Sequence, residues 1–173
     1  MEIVVLTVSD RASRGEYEDL GGPHVEAWLK STITTPFAVR RQIIPDGVES
    51  VSDTLVQLCD RDEVDLVLTT GGTGPAPRDE TPEAMNIVLA KELRGFGELM
   101  RKVSLEQTPT AILSRQTAGT RGKTLIINLP GNPRAIDVCL NAVFAAVPYC
   151  LDLIGAGRIE TDPVKIKSYR PSK

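Results

Sequence analysis

Short apolar runs rich in β-branched residues recur along the chain. Three of them show no alternation of apolar and polar positions, namely residues 3–8, 64–70 and 124–128. Uninterrupted runs of this kind predict strands that are covered on both faces, as in a parallel sheet. A fourth run, 37–44, alternates apolar residues with two arginines and a glutamine, which predicts an edge strand. Residues 110–113 are a weaker candidate for a fifth strand.

Apolar residues spaced three or four positions apart predict helices between these strands. The clearest pattern is a long apolar face over residues 136–147, which we expect to end or bend near Pro148. Strands that alternate with helices are typical of a sheet with helices on both faces. We therefore predict a three-layer α/β/α sandwich with a mostly parallel sheet. It forms a single α/β domain over residues 1–155, followed by a polar, extended C-terminal tail, 156–173.

Charge and composition exclude several classes of function. The 173 residues carry a formal net charge of −3 and only 4% aromatic residues. An acidic chain has no general attraction for a phosphate backbone, and few aromatic rings are present to stack on bases. We therefore expect no nucleic-acid partner.

The three cysteines are widely spaced and form no CxxC motif. They predict neither a disulfide framework nor a zinc site, and the single histidine, His24, fits a helix surface. The first residues contain no basic segment, and their apolar run is far short of the roughly 20 residues of a membrane span. Free thiols without a targeting segment lead us to expect a cytoplasmic protein with no membrane partner.

Three predicted strands are each followed by a glycine-containing turn and a helix with proline near its start. Proline is well tolerated there because the N–H group it lacks would have no helical partner. Thr81 and Asn132 are suitable N-cap residues for two of these helices. Helix N-termini favour phosphate, and ligands of open α/β sheets lie beyond the carboxyl ends of the strands. The pattern predicts a binding site built from residues 9–15, 46, 71–81 and 131–132.

The richest motif is Thr70-Gly71-Gly72-Thr73-Gly74, which is followed by Asp79 just before a predicted helix. Glycines directly after a buried strand let a ligand approach the backbone. The motif is neither a Walker A loop nor GxGxxG, because the required lysine and final glycine are missing. Residues 119–124 imitate the end of a Walker A loop, but a strand follows them instead of a helix.

Asp46 lies in a Pro-Asp-Gly turn after the edge strand. Such a turn forms for local reasons, and an acid ahead of a helix can simply favour the helix dipole. The alternative is that Asp46 and Asp79 share one edge of the sheet. Two carboxylates in a pocket that suits phosphate would favour Mg²⁺.

Taken together and in order, these motifs resemble the MogA-type molybdopterin adenylyltransferases of the MogA/MoaB molybdenum cofactor biosynthesis family. The resemblance covers residues 3–154. It rests on the segments Thr7–Ser13, Thr70–Gly74, Asp79–Pro82, Ala111–Arg115 and Asn128–Pro133. Competence-damage-inducible proteins share a similar glycine loop, but they typically open with Gly-Asp-Glu where this chain has Ser9-Asp10-Arg11.

The resemblance implies a homotrimer that transfers AMP from ATP to the terminal phosphate of molybdopterin, with Mg²⁺ as cofactor. It implies that Asp46 and Asp79 are the catalytic, metal-holding acids. The nucleotide would be bound by Gly71, Gly72, Thr73, Gly74 and Thr81. Molybdopterin would be bound by Ser9, Asp10, Ser114, Arg115, Pro130, Gly131 and Asn132. Transient contacts with a MoeA-type molybdate insertase and with molybdopterin synthase are further implied.

An alternative interpretation is a non-catalytic, MoaB-like module that binds molybdopterin and delivers it to an insertase. The two acids distinguish the interpretations, because carboxylates repel phosphate unless a cation lies between them. Asp46 and Asp79 are both present, which favours the enzyme.

Overall fold

Six strands form one sheet in the order β2-β1-β3-β6-β5-β4 in the computed structural model, which describes residues 1–171. β1, β2, β3 and β6 run parallel, whereas β5 and β4 are antiparallel to their neighbours. The strands span Glu2–Val8 (β1), Ala38–Ile44 (β2), Leu66–Thr70 (β3), Lys91–Glu92 (β4), Ala118–Arg121 (β5) and Thr124–Leu129 (β6). The mostly parallel sheet and its edge strand β2 confirm the sequence predictions.

Helices cover both faces of this sheet. They span Asp10–Ser13 (α1), Gly21–Thr32 (α2), Val48–Asp60 (α3), Thr81–Val88 (α4), Arg94–Leu105 (α5), Pro133–Val143 (α6) and Val147–Ile154 (α7). One core cluster packs Leu29, Leu140 and Phe144 against the sheet. A second cluster on the opposite face contains Leu55 and Met85. The two clusters confirm the three-layer α/β/α sandwich.

The strand predicted over residues 110–113 is wrong. Pro109–Leu113 forms a 3₁₀ helix in which Ile112 is 69% exposed and Leu113 is 53% exposed. The strands that the sequence did not indicate are β4 and β5. β5 has no apolar run because Gly119 packs against β4, where an added Cβ would lie 2.4 Å from the carbonyl oxygen of Lys91. Residues 119–124 span the tight hairpin that joins β5 to β6. This agrees with the sequence argument that they do not form a Walker A loop.

The long apolar segment near the C-terminus is a core helix in two parts. By length and composition alone, the segment Pro133–Ile154 could cross a membrane. A 3₁₀ turn over Phe144–Ala146 interrupts it and separates α6 from α7. Leu140, Phe144 and Leu151 are fully buried against the sheet. The apolar face of this segment therefore packs the domain core.

Residues 156–171 pack along the domain. Ile159 is buried, Thr161 forms a β-bridge with Ile33, and Arg170 lies 2.5 Å from Asp152. Some of the polar side chains of this segment therefore form ion pairs with the domain surface. The last two residues of the predicted tail, 172 and 173, lie outside the described residues.

Candidate active site

A cavity of about 250 Å³ opens at the carboxyl ends of the parallel strands. It is lined by seven of the residues that were assigned a catalytic or binding role from sequence, namely Ser9, Asp10, Asp46, Gly71, Gly72, Asp79 and Gly131. These residues come from four separate turns that follow β1, β2, β3 and β6. Parallel strands end at one edge of the sheet, which is why turns far apart in sequence converge here.

The glycine turn, Gly71–Gly72, requires glycine at both positions. Gly71 has φ +101°, and an added Cβ would lie 2.3 Å from the carbonyl oxygen of Val8. Gly72 has φ +63°, and its Cβ would lie 2.3 Å from Thr81 Oγ1. Positive φ is readily available only to glycine, and the missing side chains bring the backbone of this turn to the cavity.

Thr81 holds the glycine turn and is not the N-cap of α4, so that sequence prediction is wrong. It is the first helical residue, and Glu80 precedes it as the N-cap without a side-chain bond. Thr81 Oγ1 donates to the carbonyl of Gly71 at 3.1 Å, and its N–H donates to the carbonyl of Gly72 at 3.1 Å. The hydroxyl is therefore committed to the turn. Asn132, by contrast, is confirmed as the N-cap of α6 and accepts from the N–H of Arg134.

Asp46 and Asp10 bind each other's backbone. The N–H of Asp10 donates to Asp46 Oδ2 at 2.9 Å, and the N–H of Asp46 donates to Asp10 Oδ1 at 3.1 Å. Burial raises the pKa of the Asp46 carboxyl, and the negative charges of Asp10 and Asp79 raise it further. The bond from the Asp10 N–H and the charge of Arg78 act in the opposite direction on this pKa. Asp46 is thus a carboxylate whose negative charge is poorly stabilised by the protein.

Asp79 closes a turn at the cavity wall. Its Oδ2 accepts from the N–H of Ala76 at 3.1 Å, and its own N–H donates to the carbonyl of Ala76 at 2.8 Å. Only one carboxylate oxygen takes part in these two bonds, and Asp79 lines the cavity. Asp79 is close enough to Asp46 for its charge to affect that carboxyl.

The donor set of the cavity suits Mg²⁺. No cluster of three or more His, Cys, Asp or Glu side chains in residues 1–171 is arranged to hold a metal by itself. Mg²⁺ commonly takes only one or two carboxylates and completes its shell with water and substrate phosphates. Asp46 and Asp79 meet that requirement, and the raised pKa of Asp46 indicates a need for nearby positive charge.

Arg11 and Arg78 also line the cavity, within the predicted segments 9–15 and 71–81, although neither was assigned a role. Tyr17, Asp19 and Leu20 line it from outside every predicted segment. The Arg11 guanidinium lies 5.2 Å from the centre of the Tyr17 ring, and Asp19 accepts from Thr7 Oγ1 and from the N–H of Gly22. Tyr17 and Asp19 lie in a loop with no motif or periodicity.

The other predicted site residues lie beside or behind the cavity wall. Pro130 accepts from Thr70 Oγ1 at 2.8 Å, and Thr73 is buried. Ser114 and Arg115 follow the 3₁₀ helix. The Arg115 side chain is bound to carbonyl oxygens of residues 74 and 79. Thr73, Gly74, Thr81, Ser114, Arg115, Pro130 and Asn132 therefore surround the lining residues without lining this cavity themselves.

Comparison with known proteins gives consistent matches over the whole chain. A family model described as "Probable molybdopterin binding domain" matches residues 4–149. A molybdopterin adenylyltransferase from Helicobacter pylori strain J99 is 50% identical, covering 100% of this chain and 98% of that protein. A molybdopterin adenylyltransferase from Escherichia coli K12 is 45% identical, covering 99% and 94%. The crystal structure of the molybdopterin biosynthesis enzyme MoaB from Thermus thermophilus is 42% identical, with TM-score 0.83, covering 92% of this chain and 99% of that one. With its fold, its glycine turn and its paired acids, the chain belongs to the family described as the probable molybdopterin binding domain, the MogA/MoaB family.

Proposed function

We propose that the protein is a molybdopterin adenylyltransferase of molybdenum cofactor biosynthesis. The observation that carries this proposal is the meeting of Asp46 and Asp79 with the glycine turn in one cavity. The full-length identity of 45–50% to relatives that bear this name supports it. ATP and molybdopterin are then the two substrates.

The reaction forms one phosphoanhydride bond and breaks another. An oxygen of the terminal phosphate of molybdopterin attacks the α-phosphorus of ATP. The bond from that phosphorus to the bridging oxygen of the β-phosphate breaks, and its electron pair leaves with pyrophosphate. The attacking monoester has a second pKa near 6, so at neutral pH it is already ionised and needs no general base.

Positioning and charge are the contributions that this site can make. Two unit charges ~4 Å apart at an effective dielectric constant of 20 repel by about 4 kcal/mol. Gly71 and Gly72 line the cavity and let the phosphates approach the backbone closely, and Arg78 adds a positive charge at the cavity wall. Each reduces the repulsion between the two anionic substrates as they approach.

Asp46 and Asp79 are the residues that would hold Mg²⁺ in this reaction. When bound, the ion neutralises phosphate charge and stabilises the departing pyrophosphate. The two carboxylates come from the turns after β2 and before α4, and both residues line the cavity together with the glycine turn.

Molybdopterin is assigned to the side of the cavity formed by the turns after β1 and β6. Ser9, Asp10 and Gly131 line it, with Pro130 and Asn132 directly adjoining Gly131. Asn132 supports this assignment indirectly, because it fixes the start of α6 behind Gly131.

A second candidate function is binding and delivery of molybdopterin without catalysis. The similarity to the MoaB structure is the observation in favour of this second function. The poorly stabilised charge of Asp46 beside Asp79 argues against it, because a pure binding site for an anion would gain by losing one of these acids.

The decisive experiment is incubation of the purified chain with ATP, MgCl₂ and molybdopterin. We expect release of pyrophosphate and formation of adenylyl-molybdopterin, which chromatography of the pterin detects. Retention of molybdopterin with no pyrophosphate release would select the delivery module instead. EDTA should stop turnover if the two acids act by holding the ion.

Gly131 offers a steric test of the cavity. An alanine Cβ there would contact only Gly71, at 3.6 Å, so we expect Gly131→Ala to fold normally. One added methyl group beside the glycine turn should reduce kcat/KM by about 10-fold. Gly72 is unsuitable because a side chain there would collide with Thr81. Gly95→Ala, at an exposed position of α5 where an added Cβ meets nothing within 4 Å, provides the control, and equal kcat/KM in both variants would contradict the assignment.

We also propose that the protein is a cytoplasmic homotrimer that contacts a MoeA-type insertase and molybdopterin synthase transiently. The family resemblance supports these assignments. Analytical ultracentrifugation at micromolar concentration should give a single species three times the 18.7 kDa mass of the chain. A species of monomer mass under those conditions would refute the trimer.

A further inference from the structure

The loop that carries Asp79, residues 74–79, has little structure of its own. Residues 75–78 are exposed, and two of them are prolines without an N–H group. Its internal hydrogen bonds join Ala76 and Asp79 to each other. These bonds close the turn but do not attach it to the domain. Thr81 ties the chain just after the loop to the glycine turn, so any hydrogen bond that fixes Asp79 itself to the domain comes from a residue outside the loop.

Arg115 makes that attachment. Its backbone N–H donates to the carbonyl of Thr73 at 2.9 Å, and Nε donates to the carbonyl of Gly74 at 3.0 Å. Nη2 donates to the carbonyl of Asp79 at 2.5 Å, and Nη1 pairs with the Glu83 carboxylate in the first turn of α4. Apart from bonds within the loop, the hydrogen bonds of residues 74–79 to the rest of residues 1–171 all come from Arg115.

The chemistry of the guanidinium group explains why arginine occupies this position. Its planar fork presents several donors in fixed directions, so one side chain can bind both ends of a loop at once. All three nitrogens have protein acceptors here. Glu83 completes the arrangement, since its carboxylate accepts from Nη1, and this bond lowers the pKa of Glu83.

We infer that Arg115 is a positioning residue that fixes Asp79 by binding the carbonyl oxygens of Gly74 and Asp79, with Glu83 orienting its guanidinium. This role replaces the molybdopterin contact expected from sequence, and it rests on the proposed function of Asp79. The Arg115–Glu83 pair is partly exposed, with side chains 38% and 46% accessible. Partly exposed ion pairs add little to stability. Loss of Arg115 should therefore displace the loop more than it destabilises the fold.

The test compares Arg115→Ala, Arg115→Lys and Glu83→Gln with Arg134→Ala, an exposed arginine in the first turn of α6. We expect amide hydrogen exchange at Ala76 and Asp79 to become about 10-fold faster in Arg115→Ala. A displaced Asp79 should lower kcat by about 100-fold while KM for molybdopterin stays within about 3-fold. Arg115→Lys and Glu83→Gln should show smaller changes in the same direction, and Arg134→Ala should show wild-type exchange at these amides.

The exchange and kinetic measurements separate the possible failures. Unchanged exchange at Ala76 and Asp79 in Arg115→Ala overturns the positioning role. A rise of about 10-fold in KM for molybdopterin with unchanged kcat overturns it as well, because that result indicates direct substrate contact. If the wild-type chain transfers no AMP, the proposed function fails, and exchange alone decides the role of Arg115. If Arg115→Ala does not fold, Arg115→Lys and Glu83→Gln supply the same comparison.

Discussion

Asp79→Asn is expected to lower kcat by at least ~100-fold while the protein stays folded. An asparagine Oδ1 can still accept the hydrogen bond from the N–H of Ala76, so the turn is retained. The amide has no negative charge and is a poor ligand for Mg²⁺. A loss of about 3 kcal/mol of transition-state stabilisation corresponds to roughly a 100-fold slower reaction. Steady-state pyrophosphate release measures the effect.

The control for this variant is Asp53→Asn, which removes an exposed carboxylate on α3 that does not line the cavity. It should leave kcat and the circular dichroism spectrum unchanged. If Asp79→Asn retains more than half of the wild-type kcat at saturating Mg²⁺, the residue does not hold the ion.

The dependence of the wild-type rate on pH distinguishes charge neutralisation from base catalysis. Because the attacking phosphate is mostly ionised above about pH 7, kcat should be nearly flat from there upward. A tenfold rise per pH unit that either Asp46→Asn or Asp79→Asn abolishes would identify a carboxyl of strongly raised pKa acting as a general base.

The central sheet could be predicted because its strands are buried on both faces. β1, β3 and β6 consist mainly of apolar residues and threonine. Short uninterrupted runs of this kind are typical of strands buried on both faces. β4 and β5 could not be found in the same way, since β4 has two exposed residues and β5 depends on Gly119 for close packing. Their pairing is decided by tertiary contacts that local sequence does not record.

The site was predictable to the extent that strand ends define it. Asp46 and the glycine turn each follow a parallel strand, so their meeting at one edge follows from topology. The direction of the Arg115 side chain depends instead on carbonyl groups 36 and 41 residues earlier in the chain. Tyr17 and Asp19 enter the cavity from an irregular loop. Positions of this kind become visible only when the backbone of the whole domain is placed.

Asp46→Asn is expected to abolish most turnover and yet to raise thermal stability in the absence of Mg²⁺. Burial and two neighbouring acids raise the pKa of Asp46 above its ordinary value of 3.8. The folded state then binds this proton more tightly than the unfolded state does. Stability contributed by the protonated group is full at low pH and is lost as pH rises through the raised pKa. At about pH 7 the ionised group therefore destabilises the fold, and the neutral amide removes that cost.

Calorimetry at two pH values, without metal, isolates this effect. The Tm of Asp46→Asn should exceed that of the wild type at about pH 7, and the difference should shrink below pH 3.8, where the carboxyl is protonated in both states. Asp53→Asn serves again as the control for loss of one surface charge. Addition of MgCl₂ and ATP should raise the Tm of the wild type more than that of Asp46→Asn, because a ligand stabilises only the protein that binds it. A Tm of Asp46→Asn no higher than that of the wild type at neutral pH would contradict the destabilising charge of Asp46, and unchanged turnover would contradict its role in the reaction.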